Sequence, residues 1–369
     1  MNVLEQMELT ISKRNLANEN TCAVLMVSGG SDSTALAYLC AQMRDAGAIR
    51  AISMLHVNHN LRGDASDADQ AFVEKLASEL DIPLFVCSLD IDALVRAENG
   101  NMEAIARRER YAAAKEALLS MCAHYGVPVS DGAIFVAHTQ DDRVENFYMR
   151  SIVGTGPGGF RSMTYETGLI KRPLLDVSRE DLRSYITSLA QDGRAVVASD
   201  GKSLWCEDAT NAQNDHFRCY VRNEIVPLAK AKNPALLDTL CRTMNLIADE
   251  DDYILSVVAS TEAQVVSWIE QTGEYEPEYE EGFVLLSGAG SVHEVILRRI
   301  VYRALGKMLG EDVRVENASI ESVLGGFGAD GKIESGYVTN IQGNIAVSAN
   351  KQGVRVEPMS RFRARRKKL

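Results

Sequence analysis

No two cysteines in this chain are spaced as CxxC, and their number is odd: Cys22, Cys40, Cys87, Cys122, Cys206, Cys219 and Cys241. That pattern argues against a disulfide framework, a zinc ribbon or a cysteine-held iron–sulfur cluster. It leaves small buried hydrophobes in a reducing compartment. Long apolar runs are missing too. A notable one, Cys22 to Val27, has the length of a strand and not of a membrane span. The opening residues, MNVLEQMELTISKRN, hold no apolar core and no small-residue cleavage site, so the sequence predicts a cytoplasmic protein without a secretory signal. An excess of positive charge is also lacking. The net charge of −12 is the wrong sign for a nucleic-acid binder taken as a whole.

The charge is segregated, however. Eleven acids and no Lys or Arg lie between Asp249 and Glu281, whereas the last nine residues, RFRARRKKL, carry six positive charges. The acidic stretch reads as a solvated face. The tail is open to two readings, a disordered solubilising end or a phosphate-binding arm.

The 369 residues leave room for two or three domains. In the first half, strand-length apolar runs at Ala23–Val27, Ala51–Val57, Pro83–Cys87 and Ala133–Ala137 alternate with helical patterns at about 33–46, 67–80, 103–125 and 141–151. Strand and helix in that alternation predict an α/β fold with a parallel sheet covered on both faces and ligands at the carboxyl ends of its strands. A glycine-rich loop, GTGPGGF, follows; Lys171–Leu175 reads as a short strand, and Ser178 as the cap of another helix. Residues 192–214 are polar and are taken as a boundary. Residues 217–268 read as mostly helical, 273–282 as a charged loop, 292–309 as a helix, and 331–358 as a small sheet. The predicted division is therefore 1–212, a nucleotide-binding catalytic domain, 213–310, a helical domain, and 311–369, a small extension with the basic tail.

Directly after the first strand stands SGGSDST, Ser28 to Thr34. Gly29 and Gly30 allow positive φ and close backbone approach. The free amides of the turn and of the helix start suit phosphate oxygens, and Ser28, Ser31 and Ser33 add hydroxyl donors. The loop is not GxxxxGK[ST], for no lysine follows, and not GxGxxG, for the glycines are adjacent. Instead Asp32 sits within it. A carboxylate facing phosphates repels them unless magnesium bridges the two, so the loop implies ATP with Mg2+ held at Asp32.

SGGxDS resembles the loop of the PP-loop ATP pyrophosphatase superfamily, and further segments resemble its lysidine synthase family. His59-Asn-Leu-Arg62 is similar to that family's HxLR loop, and Glu103 through Arg107 and Arg110 to Tyr111 to its ExxARxxRY helix. Ala137-His138 through Asp142 to Glu145, with Arg150 and Gly154, is similar to AHHxDDQxET…RG. Arg172-Pro-Leu-Leu175 with Arg179 resembles RPLL…R, and Glu207–Asn211 followed by Val221-Arg222-Asn223 resembles D(P/S)SN…RN. The five matches are in order over residues 24–225. The chain departs from the pattern at Thr139, Arg143 and Asn146, where the family has His, Gln and Thr, and at Glu224–Pro227, which follows Arg222-Asn223 without the usual further Arg and spacer.

The resemblance implies a Rossmann-like sheet domain of the adenine nucleotide alpha hydrolase type, followed by a mostly helical domain with a small β-rich end. It implies a ligase that attaches free L-lysine to C2 of the wobble cytidine of a tRNA(Ile) with a CAU anticodon, consuming ATP and releasing AMP and diphosphate. Asp142 and Glu145, three apart at a helix start, would take the cationic groups of lysine; without the resemblance they would read as acids favouring a helix N-terminus. Arg107, Arg110 and His138 suit ATP, with a solvated helix face or a core histidine as the alternatives. Arg62, Arg172, Arg179, Arg218, Arg222 and Asn223 are the candidates for tRNA. The general base is open among Asp32, Asp142 and Glu145. A metal pair at His56 and His59 finds no third ligand nearby in sequence. A tRNA thiolase of the same superfamily is the alternative activity. The oligomeric state is open, a dimer among the options, and no membrane partner is expected.

Overall fold

In the computed structural model, residues 1–58, 64–98, 100–207, 217–269, 282–310 and 313–367 are described. His59 and Arg62 of the second loop, Asp208–Asn211 and Lys368 lie outside them. The chain divides into two compact units, Met1–Ile247 and Ala248–Leu369. The boundaries drawn from sequence at 212 and 310 thus each fall inside one of these units.

The first unit runs α1 (Val3–Arg14), β1 (Cys22–Met26), α2 (Ser31–Asp45), β2 (Ala51–Asn58), α3 (Asp64–Glu79), β3 (Leu84–Ser88), α4 (Ile91–Glu98), α5 (Met102–Tyr125), β4 (Gly132–Phe135), α6 (Gln140–Val153), β5 (Glu166–Thr167), β6 (Ile170–Lys171), α7 (Arg179–Gln191), α8 (Phe217–Tyr220), a π-helical turn over Val221–Ile225, α9 (Val226–Lys232) and the start of α10 (Leu236–Val265). The sheet has the order β3-β2-β1-β4-β6-β5. Every pairing is parallel except that of the edge strand β5 with β6. β1 lies in the middle of the sheet, and Cys22–Leu25 are fully buried, which is why this strand reads as an unbroken apolar run rather than an alternating one. The cysteine reading holds locally: Cys22, Cys40, Cys122 and Cys241 are free thiols buried among apolar neighbours.

Local chemistry fixes the helix ends. Asn2 and Glu5 form a reciprocal capping box on α1, a helix the sequence pattern did not single out. Gly126, at φ 63°, closes α5. Thr139 and Asp142 form a second capping box that starts α6, and Ser178 Oγ accepts from the Asp181 amide to start α7. The strand expected over Lys171–Leu175 is only Ile170–Lys171. Pro173 has no N–H to offer a ladder, and Leu174 and Leu175 turn inward to full burial.

Residues 217–247 belong to this unit because they pack on α6. Val221, Val226, Leu236, Leu237, Cys241 and Met244 share a core with Val144. That packing brings Arg218 and Arg222 to the start of α6.

The second unit holds an antiparallel sheet of order β7-β8-β11-β10-β9, formed by β7 (Val266–Trp268), β8 (Phe283–Leu286), β9 (Val338–Ile341), β10 (Ile345–Asn350) and β11 (Gly353–Pro358). Helices α11 (Glu294–Leu309) and α12 (Asn317–Leu324) share its core through Ile300, Val301, Ala304, Leu305 and Val323. The small sheet read at 331–358 is therefore present but larger, since it recruits β7 from the end of the stretch read as helix and β8 from Phe283–Leu286. The tail is α13 (Met359–Arg366), with Met359 and Phe362 buried against Ala346. Arg365 donates to Glu357, which is wholly buried, at 2.7 Å.

Candidate active site

β1 and β4 are adjacent and parallel, so the turns that leave their carboxyl ends lie side by side. One is the SGGSDS loop, the other the capped start of α6. Within the loop Gly29 has φ 93°, a backbone conformation that side chains disfavour. A Cβ there would lie 3.2 Å from Cys206 Sγ. Gly29 also accepts at its carbonyl from the Cys206 amide at 2.9 Å. Ser33 Oγ donates to the Gly30 carbonyl at 3.1 Å and accepts from the Ser28 amide at 3.2 Å, so the hydroxyls hold the loop's shape. Ser31 Oγ donates to Asp32 Oδ1 at 2.9 Å.

Three carboxylates and three guanidiniums meet beside this loop. Arg179, the first residue of α7, donates from Nε to Asp32 Oδ2 at 3.0 Å, from Nη2 to Asp142 Oδ1 at 3.1 Å and from Nη1 to Glu145 Oε1 at 3.4 Å. Arg218 Nη2 donates to Asp142 Oδ1 at 2.8 Å and Arg218 Nε to Glu145 Oε2 at 2.9 Å. Arg222 Nε donates to Glu145 Oε1 at 2.6 Å. The two oxygens of Asp142 have separate duties. Oδ2 accepts from the Thr139 amide at 2.7 Å and so caps α6, while Oδ1 faces the arginines.

The electrostatics follow from that sharing. Burial raises the pKa of Asp32, and the nearby Asp142 charge raises it further, against the pull of Arg179. Burial also works against the Asp142 carboxylate, but Arg179, Arg218 and the Thr139 amide outweigh it and hold its pKa below the usual value. For Arg179 the penalty of burial is overcome by Asp142, Asp32 and Glu145, which keep it protonated.

A second group joins three arginines to a histidine that burial keeps neutral. His138 has its pKa pushed down to about 4 by burial, with Arg172, Arg218 and Arg107 adding to the effect and Asp142 opposing it. Burial lowers the pKa of Arg110 and of Arg172, and in each the Arg107 charge adds to it. Arg107 stacks over the Tyr111 ring at 5.1 Å. Among the described residues, His138 Nδ1, Arg110 Nε and Arg172 Nε are buried without a hydrogen-bond partner. Desolvated cations with unused donors suit an anion. Arg172 also donates from Nη1 to the Thr164 carbonyl at 2.9 Å.

The structure thus brings Ser28, Gly29, Gly30, Ser31, Asp32 and Ser33 together with Asp142, Glu145 and Arg179, and gathers Arg107, Arg110, His138 and Arg172 into a coupled group. Arg218 and Arg222, expected at RNA, are placed on the carboxylates; Asn223 lies in the π turn beside them. His56 is buried, with Nδ1 2.9 Å from the Val27 carbonyl. Its assumed neighbour His59 falls outside the described residues, and so does Arg62. Sequence reasoning missed Arg183, whose Nε reaches Ser31 Oγ at 3.4 Å and whose guanidinium stacks over Trp205 at 5.5 Å. Its signal was available: it stands four residues after Arg179, on the same face of α7.

The sequence profile of the PP-loop domain matches residues 3–229. A curated tRNA(Ile)-lysidine synthase of Clostridium acetobutylicum is 28% identical over 318 residues, covering 86% of this chain and 62% of that protein. The tRNA(Ile)-lysidine synthase of Symbiobacterium thermophilum is 30% identical over 329 residues, covering 87% of this chain and 63% of its own length. This chain therefore spans less than two thirds of either relative. Among solved structures, a U34-tRNA thiolase of Methanococcus maripaludis is 17% identical and superposes with a TM-score of 0.48, covering 67% of this chain and 78% of that one.

Proposed function

The chain belongs to the PP-loop family, and from that premise we propose that it carries the ATP-using catalytic part of a tRNA(Ile)-lysidine synthase, acting in the cytoplasm. The observation that carries the proposal is the buried Asp142–Glu145 pair facing the loop carboxylate Asp32 across the shared Arg179. An ATP-cleaving loop by itself needs no further pair of buried anions. A co-substrate with ammonium groups does, and lysine has two.

The reaction has two steps. The wobble cytidine O2 attacks the α-phosphate of ATP and expels diphosphate; the lysine ε-amine then attacks C2 of the activated base and expels AMP. The loop amides and the hydroxyl of Ser31 face the phosphates, and Arg107, Arg110 and neutral His138 supply donors where negative charge accumulates. Asp142 and Glu145 hold the ammonium groups of lysine. Asp32, Asp142 and Glu145 are the carboxylates available to take the proton that the ε-amine sheds as it attacks. Among the described residues no cluster of three potential ligands would hold a metal by itself. Asp32 nevertheless fits a magnesium ion that arrives with the nucleotide, because Mg2+ is commonly held by one or two carboxylates plus phosphate oxygens. When bound it would neutralise phosphate charge next to the loop.

The test is diphosphate release from ATP measured with tRNA(Ile), with lysine, and with both. We expect AMP formation and labelled lysine in tRNA only when all three substrates are present. Turnover that consumes ATP and tRNA but incorporates no lysine would overturn the reading and point to another PP-loop chemistry.

A further inference from the structure

The cation site proposed for lysine is already filled with cations. Glu145 is 2% exposed and Asp142 9%, whereas the side chains of Arg218 and Arg222 on top of them are 40% and 26% exposed. An incoming ammonium therefore meets two guanidiniums before it meets a carboxylate. Among the described residues the charges of this cluster balance, with Asp32, Asp142 and Glu145 against Arg179, Arg218 and Arg222. Adding a buried ammonium leaves one positive charge in excess, and such an excess in a desolvated site is costly.

The three arginines stand on different elements. Arg179 is 18% exposed, spans all three carboxylates, and opens a thirteen-residue helix whose first amide donates to Asp141 Oδ2 at 2.8 Å. Arg218 and Arg222 come from the four-residue α8 and the π-helical turn that follows it. A π turn carries one residue more per turn than the α-helix around it and is an uncommon geometry, frequent where a helix serves a functional site. Return of that turn to α-helical winding would rotate both side chains off the carboxylates together.

We propose that Arg218 and Arg222 are exchangeable counter-ions that couple the two substrates of the lysidine reading, on which this inference rests. Without RNA they neutralise Asp142 and Glu145 and keep ammonium groups out. Phosphates of the bound tRNA compete for the two guanidiniums, and lysine completes their release by taking the carboxylates in their place. Lysine and tRNA then bind with positive coupling, and by linkage each raises the affinity for the other by the same factor. The two arginines act as positioning residues.

The experiment uses the whole protein in two arms. In the first, tRNA(Ile) binding is titrated over a salt series with and without saturating lysine. Each arginine released to a phosphate steepens the slope of log K against log salt by about 0.7, so lysine should steepen it by roughly 1.4. An unchanged slope overturns the proposal. In the second arm, lysine affinity is measured with and without tRNA(Ile), for the native protein and for Arg222→Gln and Arg218→Gln. The native protein should show a coupling of roughly 5- to 150-fold. Each variant should bind lysine more tightly than the native protein when RNA is absent, with the coupling reduced. Variants that bind lysine more weakly without RNA would show that the arginines merely support the site. A native protein that binds tRNA(Ile) yet takes up no lysine in either condition sinks the lysidine reading itself, and that outcome is distinct from both others.

Discussion

Arg179 Nε and Asp32 Oδ2 are 3.0 Å apart although 147 positions separate them in sequence. Through that hydrogen bond the phosphate loop and the carboxylate pair share one guanidinium. Asp32 is more costly to keep charged than Asp142, because burial and the Asp142 charge both raise its pKa, whereas arginines lower that of Asp142. Its charge therefore costs the fold stability rather than supplying it. Asp32→Ala should cut tRNA-dependent diphosphate release by about 10³-fold while leaving the melting temperature near that of the native protein. Near-normal turnover would remove Asp32 from the mechanism.

Arg143 stands where the family resemblance has glutamine, and its side chain is 1% exposed. It donates to Asn245 Oδ1 at 2.8 Å, to Tyr165 Oη at 3.1 Å and to Asp176 Oδ1 at 3.2 Å, while Asp176 Oδ2 also accepts from Thr10 Oγ1 at 3.0 Å. The substitution thus ties α6 to α1 and to α10. Removing one partner of such a network leaves buried polar groups unpaired, and Arg143→Ala should cost about 3 kcal/mol in urea unfolding. A loss under about 0.5 kcal/mol, the level of an ordinary surface change, would show that the network contributes nothing to the fold.

The pH response of His138 has a definite sign. Its folded-state pKa, pushed down to about 4, lies below the ordinary value of 6.5. Between these two values the unfolded chain binds a proton that the folded chain refuses. Stability from this group is complete above 6.5 and declines as the pH falls toward 4. Unfolding free energies measured from pH 7 to pH 4.5 should fall less steeply for His138→Gln than for the native protein. Identical slopes would mean that His138 titrates normally.

The basic tail is a packed helix, so deleting it would strip Phe362 from its core and leave Glu357 buried without Arg365. Neutralising the exposed positions Arg363, Arg366 and Lys367 to glutamine is the cleaner change. If α13 holds RNA phosphates, the slope of log K against log salt for tRNA should flatten by about 0.7 for each phosphate the helix no longer neutralises, at unchanged melting temperature. A slope equal to the native one assigns those charges to the solvent.

What the sequence made legible, it did through local periodicity. β1 to β4 and the helices between them declared themselves because strand and helix patterns differ within a window of a dozen residues. The phosphate loop was legible for the same reason, as six adjacent residues at a strand end. Val266–Trp268 was not, because three residues that continue an apolar helical pattern look helical until a partner strand such as Phe283–Leu286 is known. Nor was the pairing of Arg218 and Arg222 with Glu145, more than seventy positions away. Their four-residue spacing showed that they share a helix face but not which charge that face meets.

The hydrogen bond from the Cys206 amide to the Gly29 carbonyl has a further meaning for a chain made from one end. The loop and one of its struts are roughly 180 residues apart, about 9 to 35 s at ordinary rates of synthesis. Throughout that interval a nascent chain has β1 and its glycines but not the completed phosphate cradle.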